Sequence, residues 1–286
     1  MKKSQVFLLM VITVLLSLLT NYILMPRQTG NLQNETAFQR VMRTGTIRCG
    51  YTSWYPVLVK DPNNGMMRGT FYDYANALGK ALSLRIEWTE EMGFGDYPAA
   101  LQSGRIDAYC SGTYITAARA RAVGFVMPAY YVPLYPFVRV GDNRFGANIN
   151  AINDPQYTMA VLEGGATSVI QEQLFPKVKP YTLPQLTSPA ELFTSLAQGK
   201  ADVVIYDLFT FGDFNKHNPG NVRRISDQAV KVFPIAIGIK PEEDRLREML
   251  SNATLEMHLS GQMEQIIKNH EDYSDGIYRV TQPYQR

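Results

Sequence analysis

The sequence predicts a two-lobed α/β protein, each lobe a mixed, mostly parallel sheet flanked by helices. Strand-like and helix-like stretches alternate from Thr46 onward, the order that a parallel sheet covered by helices requires. The alternation restarts after a Gly/Asn-rich break, "GDNRFGANIN". Both halves also carry one phrase, helix, glycine, basic residue, short spacer, aspartate, strand, as "LQSGRIDAYC" and "LAQGKADVVIY".

The chain opens "MKKSQVFLLMVITVLLSLLTNYILM", two lysines and then an apolar run over residues 6–25 interrupted only by Thr13, Ser17, Thr20 and Asn21. A run of about 20 such residues is an export signal long enough to span a bilayer. It ends in Thr20, Asn21, Tyr22 and Ile23, without the small residues of a cleavage site. Residues 1–25 therefore read as an uncleaved signal anchor in preference to a cleaved signal peptide. No cysteine closely follows, which excludes a bacterial lipid anchor. Lys2 and Lys3 stay cytoplasmic, so the remainder faces the periplasm, tethered to the inner membrane. Residues 26–37 are a polar linker.

About 250 residues follow, enough for two lobes of ordinary size. The net charge of +2 and the lack of a dense basic cluster beyond the N-terminus give no sign of a nucleic-acid partner. Cys49 and Cys110 each end a strand-like run. They form a disulfide if those strands are neighbours, but two buried thiols are the preferred reading, because a bridge needs specific geometry.

From Thr46, "TIRCGYT" reads as a strand, "DPNNG" as a turn and "YDYANALGKALSL" as a helix, its apolar residues recurring at three- and four-residue spacing. "RIEWTE" is the next strand, "DYPAALQSGR" a short helix ended by Gly104, and "IDAYCSG" a strand. In the second half, strands "YTMAVLEGG", "VKPYTL" and "ADVVIYD" alternate with helices "TSVIQEQLF" and "SPAELFTSLAQGK". "VFPIAIGI" and one long amphipathic helix, "EDRLREMLSNATLEMHLSGQMEQIIKNH", complete the chain.

Ligands of open α/β sheets bind beyond the carboxyl ends of the strands, which directs attention to "GYTSWYP", "SGTYITAAR", "LEGGATS" and "YDLFTF". In the second of these, Thr116 reads as the N-cap of a helix whose first turn holds Arg119, a guanidinium placed to take a carboxylate. Arg121 lies about 200° further round and faces away; the alternative is that both arginines are solvated surface charges. Asp207 ends an apolar strand, either as a cleft-edge acceptor for an ammonium group or as a helix cap. Gly164 and Gly165 let backbone approach a ligand but lack the Gly-Lys-Ser/Thr ending of a nucleotide loop. Trp54 and Tyr55 are flat walls or packing. The histidines, His217, His258 and His270, lie away from these loops, and no cysteine pair has zinc spacing, so neither a catalytic triad, a metal site nor a cofactor is expected.

These residues in this order resemble the polar-amino-acid class of bacterial periplasmic solute-binding proteins, which serve ABC transporters. "TGTIRCGYTSWYPV", "GTFYDYANALGKAL", "YPAALQSGRIDAYCSGTYITAARARAVGFVMPAYY", "MAVLEGGATS", "LAQGKADVVIYD" and "FPIAIGIKPEEDRLREML" carry the likeness, from Thr44 to about Asn269. The resemblance implies a type II periplasmic-binding-protein fold: residues 38–139 and 237–286 form one lobe, residues 140–236 the other, and "FVRVG" and "VFPIAI" are the crossovers. It implies that Arg119 of the Thr-x-x-Arg phrase takes a ligand α-carboxylate and Asp207 the α-ammonium. Backbone contacts fall at Ser111, Gly112, Gly165 and Ala166, with Thr167 alongside, and the aromatic wall at Trp54 or Tyr55. The chain departs from the pattern at Tyr114, where the family has a small Ser or Thr, at Ala166, which replaces a hydroxyl residue, and at Thr52, where some members carry an acid. Tyr114 is expected to fill part of the pocket. The implied function is capture of an amino acid or similar small solute by a non-enzymatic, monomeric binding protein for a membrane permease. The competing readings are a membrane-anchored sensory module for a signalling partner and an enzyme on the same fold, a dehydratase or a peptidoglycan-cleaving enzyme.

Overall fold

The computed structural model describes residues 13, 15–17, 20, 35–146, 148–271 and 276–281. They fall into two compact units, Met1–Thr36 and Ala37–Arg286. In the first, Thr13, Leu15, Leu16, Ser17 and Thr20 are helical. The anchor expected over residues 6–25 lies for the most part outside the described residues, among which no helix is long and apolar enough to cross a membrane.

The second unit holds both lobes. Helix α1 (Ala37–Thr44) leads through Gly45 into strand β1 (Thr46–Tyr51), followed by the hairpin β2 (Val59–Lys60) and β3 (Met67–Arg68). Helix α2 (Thr70–Ala81) buries Phe71, Tyr74, Ala75 and Leu78, the stripe its spacing predicts. Strand β4 (Arg85–Glu91) alternates exposed and half-buried residues, as befits an edge with one covered face. Helix α3 (Tyr97–Gln102) precedes β5 (Ala108–Tyr114), which is buried along its whole length. The short β6 (Gly124–Phe125) and the long β7 (Tyr130–Arg139) follow.

The second lobe adds β8 (Thr158–Leu162), α4 (Ala166–Leu174), β9 (Lys179–Leu183), α5 (Ala190–Ala197), β10 (Val204–Tyr206), α6 (Leu208–His217) and β11 (Val222–Arg224). The chain returns through β12 (Lys231–Ile239) to α7 (Asp244–Leu259) and α8 (Gln262–His270).

The largest sheet has the order β10-β7-β12-β5-β1-β4. β1 is parallel to β4 and β5, whereas β12 is antiparallel to β5. The mixed sheet matches the predicted class. β7 and β12, which hold most of the segments expected as crossovers, pair antiparallel within this sheet. Tyr130–Leu134 pairs with β12, and the rest of β7 pairs with β10 and β11 of the second lobe. In that lobe β8 runs parallel to β9 and touches the β10 side through a Met159–Val203 bridge.

The repeated sequence phrase has one physical meaning in both lobes. Gly104 and Gly199, at φ 69° and 75°, end their helices in the left-handed region that glycine enters without strain. The aspartate then clasps the start of the neighbouring parallel strand: Asp107 accepts from the Arg48 amide at 2.7 Å, and Asp202 from the Thr158 amide at 3.0 Å. Arginines complete each clasp, Arg40 and Arg48 on Asp107, Arg139 and Arg144 on Asp202.

Three expectations are corrected. The C-terminal helix is two helices, because Gly261 at φ 81° interrupts the backbone between α7 and α8. The helix expected after Thr116 is only a 3-10 turn, Arg119–Arg121, since the chain must turn back within a few residues to pair β6 with β12. Cys49 and Cys110 are not separate thiols: they form a disulfide between the paired strands β1 and β5, with Cα atoms 5.4 Å apart.

Candidate functional site

The loops beyond the strand ends meet between the lobes. Trp54 follows β1 and is buried; its indole Nε1 donates to Thr210 Oγ1 of the second lobe at 3.2 Å. Arg119 is held by the turn after β5, where its own amide donates to Thr116 Oγ1 at 3.1 Å. Its guanidinium donates to Thr113 Oγ1 and to the Tyr114 carbonyl, and then reaches across the cleft to the Gly164 carbonyl at 2.8 Å. A third bond between the lobes runs from the Gly95 amide to Gln185 Oε1 at 3.1 Å. Backbones come close here: a Cβ on Gly164, itself at φ 69°, would lie 2.8 Å from the Gly95 nitrogen. Only glycine allows that approach. Arg121 is exposed.

The closed cleft leaves a cavity of about 10 Å³, room for one water. Trp54, Tyr114 and Arg119 line it from the first lobe, and Gly165, Ala166 and Thr167 from the second. Sequence reasoning missed Phe94, Leu162 and Tyr206, which also line it. Tyr206 had a usable signal, its place beside Asp207 at the end of β10. Tyr55 is elsewhere. It faces a separate, larger and polar cavity of about 360 Å³ at the cleft's outer side, with Arg68, Glu91 and Asp213. Ser111 and Gly112 lie in β5 and do not line the inner cavity; Ser111 Oγ accepts from the Thr52 amide at 2.9 Å. Thr52 itself donates to the Met92 carbonyl and accepts from the Tyr109 hydroxyl at 2.6 Å.

Aromatic rings fill the site. Trp54 meets the Tyr114 ring edge-on at 5.3 Å between centroids, and Tyr114 stacks on Phe233 of β12 at 5.1 Å. Phe94 and Tyr206 flank the indole at 6.0 and 6.3 Å. Burial first, and then the neighbouring Asp207 carboxylate, hold the Tyr114 phenol well above its ordinary pKa.

Of its two sequence readings, Asp207 shows the helix cap. Its Oδ1 accepts from the Thr210 amide at 2.7 Å and caps α6, whereas Oδ2 is buried with no hydrogen-bond partner among the described residues. Burial pushes its pKa up to about 7, opposed by the hydrogen bonds from Thr210. Between about pH 4 and 7 the folded state thus holds a proton that the unfolded chain has released. Stability from this group is greatest in acid and is lost as the pH rises through about 7.

No group of three or more His, Cys, Asp or Glu residues that could hold a metal occurs among the described residues. His258 is bound to the Pro128 carbonyl and His270 to Asp73, both away from the cleft.

Residues 47–271 match the family of bacterial extracellular solute-binding proteins, family 3. The histidine-binding periplasmic protein of Salmonella typhimurium is 25% identical over 240 residues, covering 79% of this chain and 88% of that protein. An ancestral arginine-binding protein solved with arginine is 25% identical, with a TM-score of 0.69 over 79% of this chain and 98% of that one. The fold is also that of an ancestral amino acid-binding protein described as a precursor of cyclohexadienyl dehydratase, 24% identical, with a TM-score of 0.72 over 82% of this chain and 99% of that one.

Proposed function

Because the chain belongs to the bacterial extracellular solute-binding proteins of family 3, we propose that it captures an amino acid or similarly small zwitterion between its lobes, outside the cytoplasm, for an ABC-transporter permease. The observation that carries this reading is the Arg119 guanidinium, which lines the inner cavity and reaches the Gly164 carbonyl across the cleft; the buried Asp207, one oxygen unpartnered among the described residues, supports it from the end of β10, next to the lining residue Tyr206. A guanidinium suits a carboxylate through two parallel bonds. A buried carboxylate oxygen lacking a donor gains most from an ammonium group. The histidine-binding relative and the arginine-binding neighbour support an amino-acid solute.

Capture works by differential binding. A solute that touches both lobes favours the closed state, and β7 with β12 forms the hinge. Residues 38–139 with 237–286 move as one body, and residues 140–236 as the other. The role is binding rather than catalysis, performed by a monomer that residues 6–25 tether to the inner membrane.

A thermal-shift series with L-histidine, L-arginine, L-glutamine and L-cysteine tests the solute class. A ligand present at about 100 times its Kd adds about 2.7 kcal/mol, a rise of several degrees for a chain of this size. At least one of the four is expected to give that rise; a flat response to all four contradicts an amino-acid solute.

A further inference from the structure

We infer that Tyr114 is the cleft's internal occupant: its ring holds the lobes closed in the space a solute needs, and must swing out for one to enter. Three observations converge on this residue. With the ring in place the inner cavity, the one Arg119 lines, has only about 10 Å³ left, far less than any amino acid requires. The ring packs on the hinge strand directly, stacked on Phe233 of β12, and backs the second-lobe contact through Trp54, which it meets edge-on and whose indole is bonded to Thr210. Yet the hydroxyl makes no hydrogen bond among the described residues, and neither does the nearby Asp207 Oδ2.

A phenol bound for its polar end would not be buried with that end unmatched. The ring is therefore held for its apolar bulk. With the ring in this place, any solute must compete with a closed state that excludes it. Affinity falls by the fraction of molecules so closed. Removing the bulk leaves a void that disfavours closure until a solute fills it. The affinity part of this inference rests on the solute-binding reading; the closure part does not.

Small-angle scattering of the full chain without added solute separates the two, and titration with L-histidine, L-arginine, L-glutamine and L-cysteine completes the test. Wild type is expected to be compact and Tyr114→Ser more extended, while Tyr114→Phe, which keeps the ring, stays compact. Tyr114→Ser is then expected to bind at least one of the four about tenfold or more tighter than wild type. If the serine variant fails to fold, Tyr114→Thr repeats the test with a residue favoured in a strand. Extended wild-type scattering that contracts on adding an amino acid overturns the inference, as does a serine or threonine variant as compact as wild type. Opening of the variant with no binding by either protein supports the internal occupant and removes the amino-acid reading instead.

Discussion

Replacing Asp207 with asparagine is expected to make the protein more stable above pH 7, by up to about 4 kcal/mol. Asparagine keeps the Oδ1 acceptor that caps α6 and is itself a favoured cap, so the helix start survives. What disappears is the free energy of ionising a fully buried carboxyl whose second oxygen has no partner among the described residues. Below about pH 4 the native carboxyl is protonated and the two proteins should be equally stable. The difference should open between about pH 4 and 7 and level off above. Urea unfolding across this range measures it directly. A variant less stable than wild type at about pH 8 would contradict the assignment of Asp207 as a desolvated, unpaired acid. The gain in stability should come with weaker solute binding, since the same unpartnered oxygen is the proposed ammonium acceptor.

Loss of the Cys49–Cys110 bridge is expected to cost about 4 kcal/mol, the loop-closure entropy of a sequence separation of 61 residues. The bridge ties β1 to β5, the strands that deliver Trp54 and Arg119 to the cleft, and both sulfurs are buried. A Cys49→Ala/Cys110→Ala variant should unfold at a markedly lower urea concentration than wild type, and dithiothreitol should lower the wild-type midpoint without moving that of the variant. Equal midpoints for the two proteins would mean that the strands gain nothing from the bridge.

The structure clarifies which of these features were open to sequence reasoning. Local order was legible: the spacing of Phe71, Tyr74, Ala75 and Leu78 gave α2, and the recurring glycine and aspartate marked equivalent places in the two lobes, although their role as strand clasps appears only in three dimensions. Arg119, Tyr114 and Asp207 stood out because each follows or ends a strand at its carboxyl end. The disulfide was not legible, because sequence alone does not reveal the separation of two Cα atoms. Phe94 and Leu162 were missed for a related reason: which apolar side chains line a cleft depends on how its two walls approach, and Leu162, although it opens "LEGGATS", has no polar group to draw notice. Of Trp54 and Tyr55, the two alternatives for the aromatic wall, Trp54 lines the inner cavity and Tyr55 the larger one, since adjacent residues in a loop point to different cavities. The single C-terminal helix failed at Gly261, whose amphipathic surroundings masked a left-handed backbone.

Arg119 is proposed to read the carboxylate of a solute held between the lobes. Calorimetric titration of the amino acid that gives the largest thermal shift, into wild type and into Arg119→Ala, tests it most directly. Losing a charge-assisted pair, and leaving a carboxylate unmatched in the cleft, predicts binding about 10- to 100-fold weaker. An affinity unchanged by the substitution would contradict the claim.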